Sequence, residues 1–454
     1  MAFQDPPYNV AYEGGTAAKM TIANDALGKG FLDFIRPALA NLLSVTKGAR
    51  IIAIGTQQEP IIFTSKADYN TWTPANPRGQ WRAACNEWGT LTIMGKAYIG
   101  KYGNGAPTSN TATPNANNYA QMEGLIPSDA NDVRVRYGGG DDNDNSGILS
   151  YTSFRYGGKV VALNTELNGL SLGGVGRGTT IDHIEIMNNV DDGIEIWGGT
   201  VNLKHFAIWN IGDDSFDVDQ GWRGKAQFGL IVQGYSVGAA QGSGVGDNSF
   251  EIDGAEQSDY QPVTTTSIYN CTVIGQPYGA NSGDHATAWR DNAHVQYRNC
   301  IFMDTGDRLV GFDNVDGDGG AGYGFNGTTS WINCWTTPYT TTSAVNAPAN
   351  PATFYTVQTS GNLCEIKDSV MFNNTSTAAY TEANARGVFA AANNNVQATA
   401  SPITSITRDT LGTVFGTLVM ARVLTLDPRP AADALTSVSY APADGFFESA
   451  QDRK

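Results

Sequence analysis

The sequence has few cysteines, few basic residues and no long apolar run. Its five cysteines are an odd number without a C-x-x-C pair, which argues against a disulfide framework and against a zinc-binding motif. No apolar run reaches the ~20 residues that a membrane-spanning helix needs. Residues 1–25 contain no basic segment followed by an apolar one, so we expect no secretion signal in this chain.

The charge balance is strongly acidic. The chain of 454 residues has 28 Lys and Arg against 44 Asp and Glu, which gives a formal net charge of −16. Binding to nucleic acid needs a basic surface, so we expect no nucleic-acid partner. Charged residues make up only 16% of the chain, and glycine is frequent at 53 residues. This composition favours many short strands joined by turns over long exposed helices.

The segment 181–221, IDHIEIMNNVDDGIEIWGGTVNLKHFAIWNIGDDSFDVDQG, contains one pattern twice. The apolar, histidine and aspartate positions from Ile181 to Ile196 recur 22 residues later, from Leu203 to Val218. A fixed period of this size with short apolar strands is typical of a solenoid, here a parallel β-helix in which each repeat is one coil. Equivalent residues of successive coils then lie about 4.8 Å apart.

Alternation along the strands predicts which side chains point outward. In GIEIWGG (193–199), SFDVDQG (215–221) and NSFEIDG (248–254), the aliphatic and aromatic positions face the interior and the acids face out. We therefore expect one outward column of Glu195, Asp217 and Glu251. A second column next to it contains Trp197, Asp219 and Asp253.

A further column is predicted downstream. The segments around Cys271, Cys300, Cys334 and Ser369 align, and Asn270, Asn299, Asn333 and Asp368 precede those residues. We interpret the cysteines as small stacked core residues and the asparagines as a hydrogen-bonded ladder at a coil corner. The segments 255–266, 276–293, 305–329 and 338–362 are interpreted as loops, which are common places for recognition.

The two ends of the chain differ from its middle. We divide the chain into an N-terminal segment (1–48), a β-helix with inserted loops (49–375) and a C-terminal cap or fold-back segment (376–454). Residues 28–46 have apolar residues at helical spacing, so a helix is expected to cover the open end of the first coil.

Segments along residues 48–440 resemble a family of bacterial cell-surface and secreted proteins of uncharacterised function. The resemblance rests on motifs such as WGTLTIMGKAYI (88–99), DDGIEIWGGTVNLKH (191–205) and LDPRPAADA (426–434), including the pattern DD-x-[FI]-[ED]. It implies a right-handed parallel β-helix and no established reaction. The N-terminal segment, without a signal, also resembles phage virion proteins of the β-helix type.

The stacked acids allow three interpretations. Like charges ~5 Å apart repel by on the order of 1 kcal/mol per pair even in water. A bound Ca²⁺ would offset this repulsion, with Glu195, Asp217, Asp219, Glu251 and Asp253 as candidate ligands. The carboxylates could instead be catalytic, or they could form a solvated or salt-bridged face.

The catalytic interpretation assigns a polysaccharide hydrolase or lyase site. Its candidates are Asp213, Asp214 and Asp217 as acid and base groups, with His285 and Arg290 as helpers. The aspartate pairs 191–192 and 213–214 could also serve only to satisfy turn backbone. His183 and His205 are predicted to stack on the outside, where such a pair could bind a metal or simply be exposed.

We expect a non-enzymatic structural or adhesive protein on the surface of a virion or a cell envelope. Its expected partners are further copies of itself, for example in a trimer, together with capsid or envelope proteins and polysaccharide. The alternative is a polysaccharide-degrading enzyme that uses the acidic face of coils 191–253.

Overall fold

The computed structural model describes most of the central part of the chain. The described residues are 12–13, 19–23, 42–101, 114–161, 165–234, 246–256, 260–276, 285–306, 309–312, 331–345, 351–374, 388–414, 418–431 and 444–448.

Two sheets of stacked parallel strands form the body of the molecule. The first sheet contains eight strands in chain order along the stack: Leu43–Val45, Leu91–Met94, Leu170–Gly173, Ile194–Trp197, Phe216–Asp219, Phe250–Asp253, Thr287–Arg290 and Val310–Phe312.

The second sheet is larger and divides into two faces. Its strands are Tyr12–Glu13, Lys19–Ala23, Arg50–Ile54, Ile61–Phe63, Gly147–Arg155, Thr180–Asn189, Asn202–Ile211, Lys225–Val232, Thr265–Tyr269, Thr272–Ile274, His294–Arg298, Ile301–Met303, Glu365–Lys367, Val370–Phe372 and Val396–Gln397. Lys19–Ala23 pairs antiparallel with both Tyr12–Glu13 and Arg50–Ile54, while the later strands pair in parallel.

The remaining regular elements lie outside the coils. Two small antiparallel sheets pair Ala120–Gln121 with Arg136–Tyr137 and Ile403–Val414 with Leu418–Pro430. The helices are short: Lys66–Tyr69, Trp331–Cys334, Thr340–Val345 and Pro351–Phe354, with 3₁₀ turns at Val133–Val135 and Ala391–Asn393. None of the described helices is long and apolar enough to cross a membrane.

The strand register confirms the parallel β-helix. Ile181 lies opposite Leu203, and Ile194 opposite Phe216, which is the 22-residue offset of the sequence repeat. Aliphatic and aromatic side chains at equivalent positions stack in the interior, where Ile194, Ile196 and Phe216 have no exposed surface. Because no single coil could bury these side chains alone, stacking of the coils is what forms the core.

The coils of the second sheet bend at residues with left-handed backbone. Tyr151, His183, His205 and Phe228 share this conformation, with φ between 51° and 61°. In later coils the bend is made by Asn270, Asn299 and Asp368, residue types that tolerate positive φ better than most. Three members of the predicted ladder, Asn270, Asn299 and Asp368, therefore share one position, which is a bend within a face. The fourth, Asn333, lies in the helix Trp331–Cys334, so its predicted place in the ladder is wrong.

Three sequence expectations need correction. Cys334 is buried in the core, but its segment is the helix Trp331–Cys334, and Ile301 pairs with Val370, so Ser369 follows Cys300 in the column. The predicted loops 276–293 and 305–329 contain the first-sheet strands Thr287–Arg290 and Val310–Phe312.

The third correction concerns the predicted helix at 28–46. Its end is the strand Leu43–Val45, which pairs with Leu91–Met94 because its alternating small and apolar residues extend the interior of the stack. Residues 28–41 lie outside the described residues. All five cysteines are free thiols.

The C-terminal part returns along the outside of the second sheet. Parallel pairing continues to Val396–Gln397, beyond residue 375. The hairpin 403–430 then packs Ile406, Val423 and Leu426 against outward apolar side chains of the coils. Residues 444–448 lie further back, where Lys204 pairs with Glu448 at 3.0 Å and Phe447 contacts Tyr269.

We expect Ile196→Ala to lower the free energy of unfolding by about 2–5 kcal/mol, because it leaves a cavity between stacked coils. Ile126→Ala is the matched control, since Ile126 is 64% exposed, and it should change stability by less than about 0.5 kcal/mol. Denaturant unfolding followed by circular dichroism measures both. Equal effects of the two substitutions would contradict the stacked core.

Candidate functional site

The outward face of the first sheet carries a continuous carboxylate column. Glu195 lies opposite Asp217, and Asp217 opposite Glu251. On the coil before Glu195 the equivalent residue is Ser171, and on the coil after Glu251 it is Ala288, so the run of carboxylates stops at both ends. It is not a solvated face, because Glu195 is 8% and Asp217 9% exposed.

A second set of acids lies at the corner that enters these strands. The backbone N–H of Asp214 donates to Asp192 Oδ1 at 3.0 Å, and that of Asn248 donates to Asp214 Oδ1 at 2.6 Å. Asp192 itself donates its N–H to Asn168 Oδ1 at 3.2 Å. Each side chain therefore accepts the amide of the equivalent residue in the next coil, which is an architectural role for the second aspartate of each pair.

Two further glutamates reach this region from other segments. Glu123 lies between the strands Ala120–Gln121 and Arg136–Tyr137, near where Met122 and Tyr137 pack over Trp197. Glu166 is 5% exposed, and its Oε1 has no hydrogen-bond partner among the described residues. We call the following set the acidic cluster: Glu123, Glu166, Asp191, Asp192, Glu195, Asp213, Asp214, Asp217, Asp219, Asp247, Glu251 and Asp253.

Burial and mutual repulsion disfavour the ionised form of several carboxyls in this cluster. Burial, with the charges of Glu123 and Glu166 beside it, raises the pKa of Asp191 to about 7. Burial also raises the pKa of Glu123 and of Asp219 to about 7, assisted by Glu166 and Glu256 respectively.

The innermost carboxyls are affected most. Burial and the neighbouring Asp217 hold the pKa of Glu195 well above its usual range, and burial with Glu251 does the same for the pKa of Asp217. The pKa values of Asp192, Asp214 and Asp253 are raised for the same two reasons.

Arg290 brings positive charge to one end of the cluster. Its Nη1 lies 2.8 Å from Glu251 Oε1 and 3.7 Å from Asp253 Oδ2. In the part of the chain that the structure describes, no basic side chain forms an ion pair with Asp192, Glu195 or Asp217. Asn168 donates to Glu195 Oε2 but carries no charge.

Three groups of acids bring their oxygens within 4.8 Å of one another. They are Asp191, Asp192 and Asp213; Asp192, Glu195 and Asp217; and Asp213, Asp214 and Asp247. Sets of several carboxylate oxygens are the donors that Ca²⁺ prefers. Two like charges at this distance repel by ~3 kcal/mol even at an effective dielectric constant of 20, so a bound cation would relieve a large cost.

The predicted site residues thus divide between the two sets. Glu195, Asp217 and Glu251 share one column, and Asp219 and Asp253 lie two residues further along the same strands. Asp213 and Asp214 lie at the corner. His285 is in the corner column as well, where its Nδ1 lies 3.0 Å from Asn248 Oδ1, and Arg290 neutralises the far end.

Other members of the cluster were outside the predicted ligand set. Asp191 and Asp192 are the equivalents of Asp213 and Asp214 one 22-residue period earlier, and the sequence pattern predicted only a role in the turn for this pair. Asp247 lies 34 residues after Asp213, at the longer spacing of the next coil. Glu123 and Glu166 lie outside the repeat, and no pattern in the sequence connects them to the column.

A groove lies on another face, between the second sheet and the C-terminal hairpin. It has a volume of about 690 Å³ and is lined by Trp81, Trp209, Glu185, Asn210 and Leu424, among others. Trp81 is 43% exposed, and its indole N–H donates to Asn188 Oδ1 at 3.3 Å. Aromatic faces beside a carboxylate and an amide are common in sites for small polar ligands.

Comparison with known proteins identifies the family. Residues 18–385 match the family described as the pectate-lyase-like β-helix domain. No curated protein and no solved structure matches the chain significantly. Because the match covers most of the sequence, the chain belongs to this family of parallel β-helix proteins.

The raised pKa values predict an unusual pH dependence when divalent cations are removed. The folded protein keeps protons on Glu123, Asp191 and Asp219 up to about pH 7, whereas the unfolded chain loses them near its ordinary values. The folded state therefore binds more protons, and stability should fall as pH rises from roughly 4 to 7. Thermal melting in chelator should show a decrease of several degrees.

Glu195→Gln is the matched variant for this measurement, because it removes one buried charge and keeps the shape. It should flatten the decrease. A melting temperature that rises over the same pH range would contradict the protonated cluster.

Proposed function

We propose that this member of the pectate-lyase-like β-helix family is a non-enzymatic structural protein of a virion or cell-envelope surface, stabilised by Ca²⁺ in the acidic cluster. The observation that carries the proposal is the set of buried carboxylates Asp192, Glu195 and Asp217, none of which forms an ion pair with a basic side chain among the described residues. Folding such a set without a cation requires that several carboxyls keep their protons at neutral pH. A bound cation removes that requirement.

The ligands of the proposed ion come from successive coils. Asp192, Glu195 and Asp217 supply oxygens within 4.8 Å of one another. Glu195 and Asp217 belong to two neighbouring strands of the first sheet, and Asp192 lies at the corner before the first of them. Asp213 and Asp247 offer a second position at the corner. Glu251 and Asp253 are engaged by Arg290, so we assign them to the edge of the site. An ion held in this way joins the coils along the axis of the stack.

Burial favours a structural role over catalysis for these acids. A polysaccharide must bring its glycosidic bond within hydrogen-bond reach of catalytic carboxyls. The side chains of Glu195 and Asp217 are more than nine-tenths buried, and the corner aspartates hold backbone amides of the next coil. Buried carboxylates held by backbone hydrogen bonds are suited to enclosing a small ion.

Contact with glycans is assigned to the surface of the molecule. The groove beside Trp81 and Trp209 offers indole faces for the apolar side of a sugar ring, with Glu185 and Asn210 for its hydroxyl groups. Self-association into an oligomer such as a trimer is part of the proposal, as is assembly with capsid or envelope proteins.

Adding Ca²⁺ to chelator-treated protein should raise its melting temperature, because the ion binds the folded state and not the unfolded chain. At 100 times the dissociation constant the gain is about 2.7 kcal/mol. Asp217→Asn should abolish most of this gain, since it removes a central ligand. Calorimetric melting with and without Ca²⁺ at neutral pH measures both effects.

Asp129→Asn is the control for this experiment, because Asp129 is an exposed carboxylate outside the cluster. It should keep the full response to Ca²⁺. Wild-type melting that is indifferent to chelator and to Ca²⁺ would refute the cation site.

Cleavage of acidic polysaccharide is the second candidate function. It is favoured by Arg290, whose side chain is 38% exposed and lies beside Glu251 and Asp253, and by the family to which the chain belongs. In this alternative Arg290 and the carboxylates at the accessible end act on a uronate chain, with Asp213, Asp214 and His285 as supporting groups.

We expect the protein to retain polysaccharides without cleaving them. Incubation with polygalacturonate and alginate in Ca²⁺ should leave chain length unchanged by size-exclusion chromatography and produce no unsaturated ends. Trp81→Ala should weaken retention of any polysaccharide bound in affinity electrophoresis. Turnover that Arg290→Ala abolishes without lowering the melting temperature would establish the enzyme instead.

A further inference from the structure

A second set of metal-ligand side chains lies on the second sheet, separate from the acidic cluster. Asp182 Oδ1 is 2.7 Å from His205 Nδ1 and 2.9 Å from His183 Nδ1. The three ligand atoms lie within 4.8 Å of one another. One carboxylate and two imidazoles from adjacent coils therefore point at a common position.

The two histidines are held in place by the backbone and by their neighbours. Both have φ of 54°, at the bend of their coils. Their rings stack at 4.2 Å, and the column continues with Tyr151 at 4.2 Å from His183 and Phe228 at 5.0 Å from His205. The rings are thus oriented before any ligand arrives, which reduces the entropic cost of binding.

The hydrogen bonding of the set is incomplete. His205 Nδ1 is hydrogen-bonded to Asp182. His183 Nδ1 is shielded from solvent, and it makes no hydrogen bond with any residue in the described part of the chain. It faces the same carboxylate oxygen at close range without the geometry of a hydrogen bond, so a buried nitrogen lone pair or N–H is left unsatisfied.

We infer that Asp182, His183 and His205 form a binding site for a divalent transition-metal ion of the Zn²⁺ class. Imidazole nitrogen with one carboxylate is a donor set that suits zinc, copper and nickel and is poor for Ca²⁺. The side chains are 34%, 34% and 31% exposed, so an ion can enter and water can complete its coordination. The site would tie together the coils 180–189 and 202–211.

The ammonium group of the neighbouring Lys204 does not occupy the position between Asp182 and the two histidines. Lys204 lies opposite Asp182 in the strand register, but its ammonium group donates to Phe446 O and pairs with Glu448 at 3.0 Å. The carboxylate of Asp182 is left for the histidines.

Zinc titration of the Ca²⁺-saturated protein tests this inference, since excess Ca²⁺ keeps the acidic cluster filled. Isothermal titration calorimetry should show one zinc ion per chain. His205→Phe and His183→Tyr should each weaken binding at least about tenfold, because each removes a ligand. Both variants should keep the fold, since the neighbouring coils carry Phe228 and Tyr151 in the same column.

His285→Asn is the control, because His285 is the remaining histidine near an acidic group and lies outside the set. It should bind zinc as the wild type does. Cu²⁺ electron paramagnetic resonance should show two nitrogen ligands in the wild type and one in His205→Phe. Unchanged zinc affinity in His205→Phe and His183→Tyr would overturn the site, whatever the response of the protein to Ca²⁺.

Discussion

The in-register stacking of parallel coils is the constraint on which the whole molecule depends. Because each strand pairs with the equivalent strand of the next coil, a residue type that suits one coil is placed directly over its counterpart. Leu170, Ile194 and Phe216 become a continuous core in this way, and Tyr151, His183 and His205 a column of rings. The same register places Glu195 directly over Asp217, and the repulsion between the two carboxylates is unfavourable. A β-helix has no means of staggering such residues, so the cost must be met by protons or by a cation.

The sequence predicted the parts of the structure that repeat. The 22-residue offset determined the register of Ile181 with Leu203 and the outward direction of Glu195 and Asp217, since both follow from strand periodicity alone. It could not predict that this face is buried, because the covering residues around Met122 and Tyr137 come from a segment without a repeat. Cys334 shows the opposite failure, in which the sequence pattern predicted a coil position that the structure does not have. Its local pattern, Asn before Cys, matches the true coils, but the chain forms a helix there, and only long-range packing distinguishes the two.

The acidic cluster also shows why its residues have different roles in spite of similar chemistry. Asp192 and Asp214 each use one carboxylate oxygen to accept a backbone amide of the next coil and so help to build the corner. Glu195 and Asp217 lie on the strands and carry the electrostatic cost, while Glu251 and Asp253 are paired with Arg290. Position within the coil separates the first two roles, and position along the stack separates the third. A motif such as DD-x-[FI]-[ED] contains both of the first two roles and therefore identifies the fold better than it identifies a function.

The contact between residues 444–448 and the middle coils has a consequence for biosynthesis. Coils can stack as the chain emerges from the ribosome, since each needs only the one before it. Lys204 and Lys225, however, receive Glu448 and Asp444 only after residues 444–448 have emerged as well. The coils around these two lysines are therefore completed long after their own residues have been synthesised. Until then they are stacked without the contacts of residues 444–448, and their exposed lysines and Tyr269 distinguish this intermediate from the folded protein.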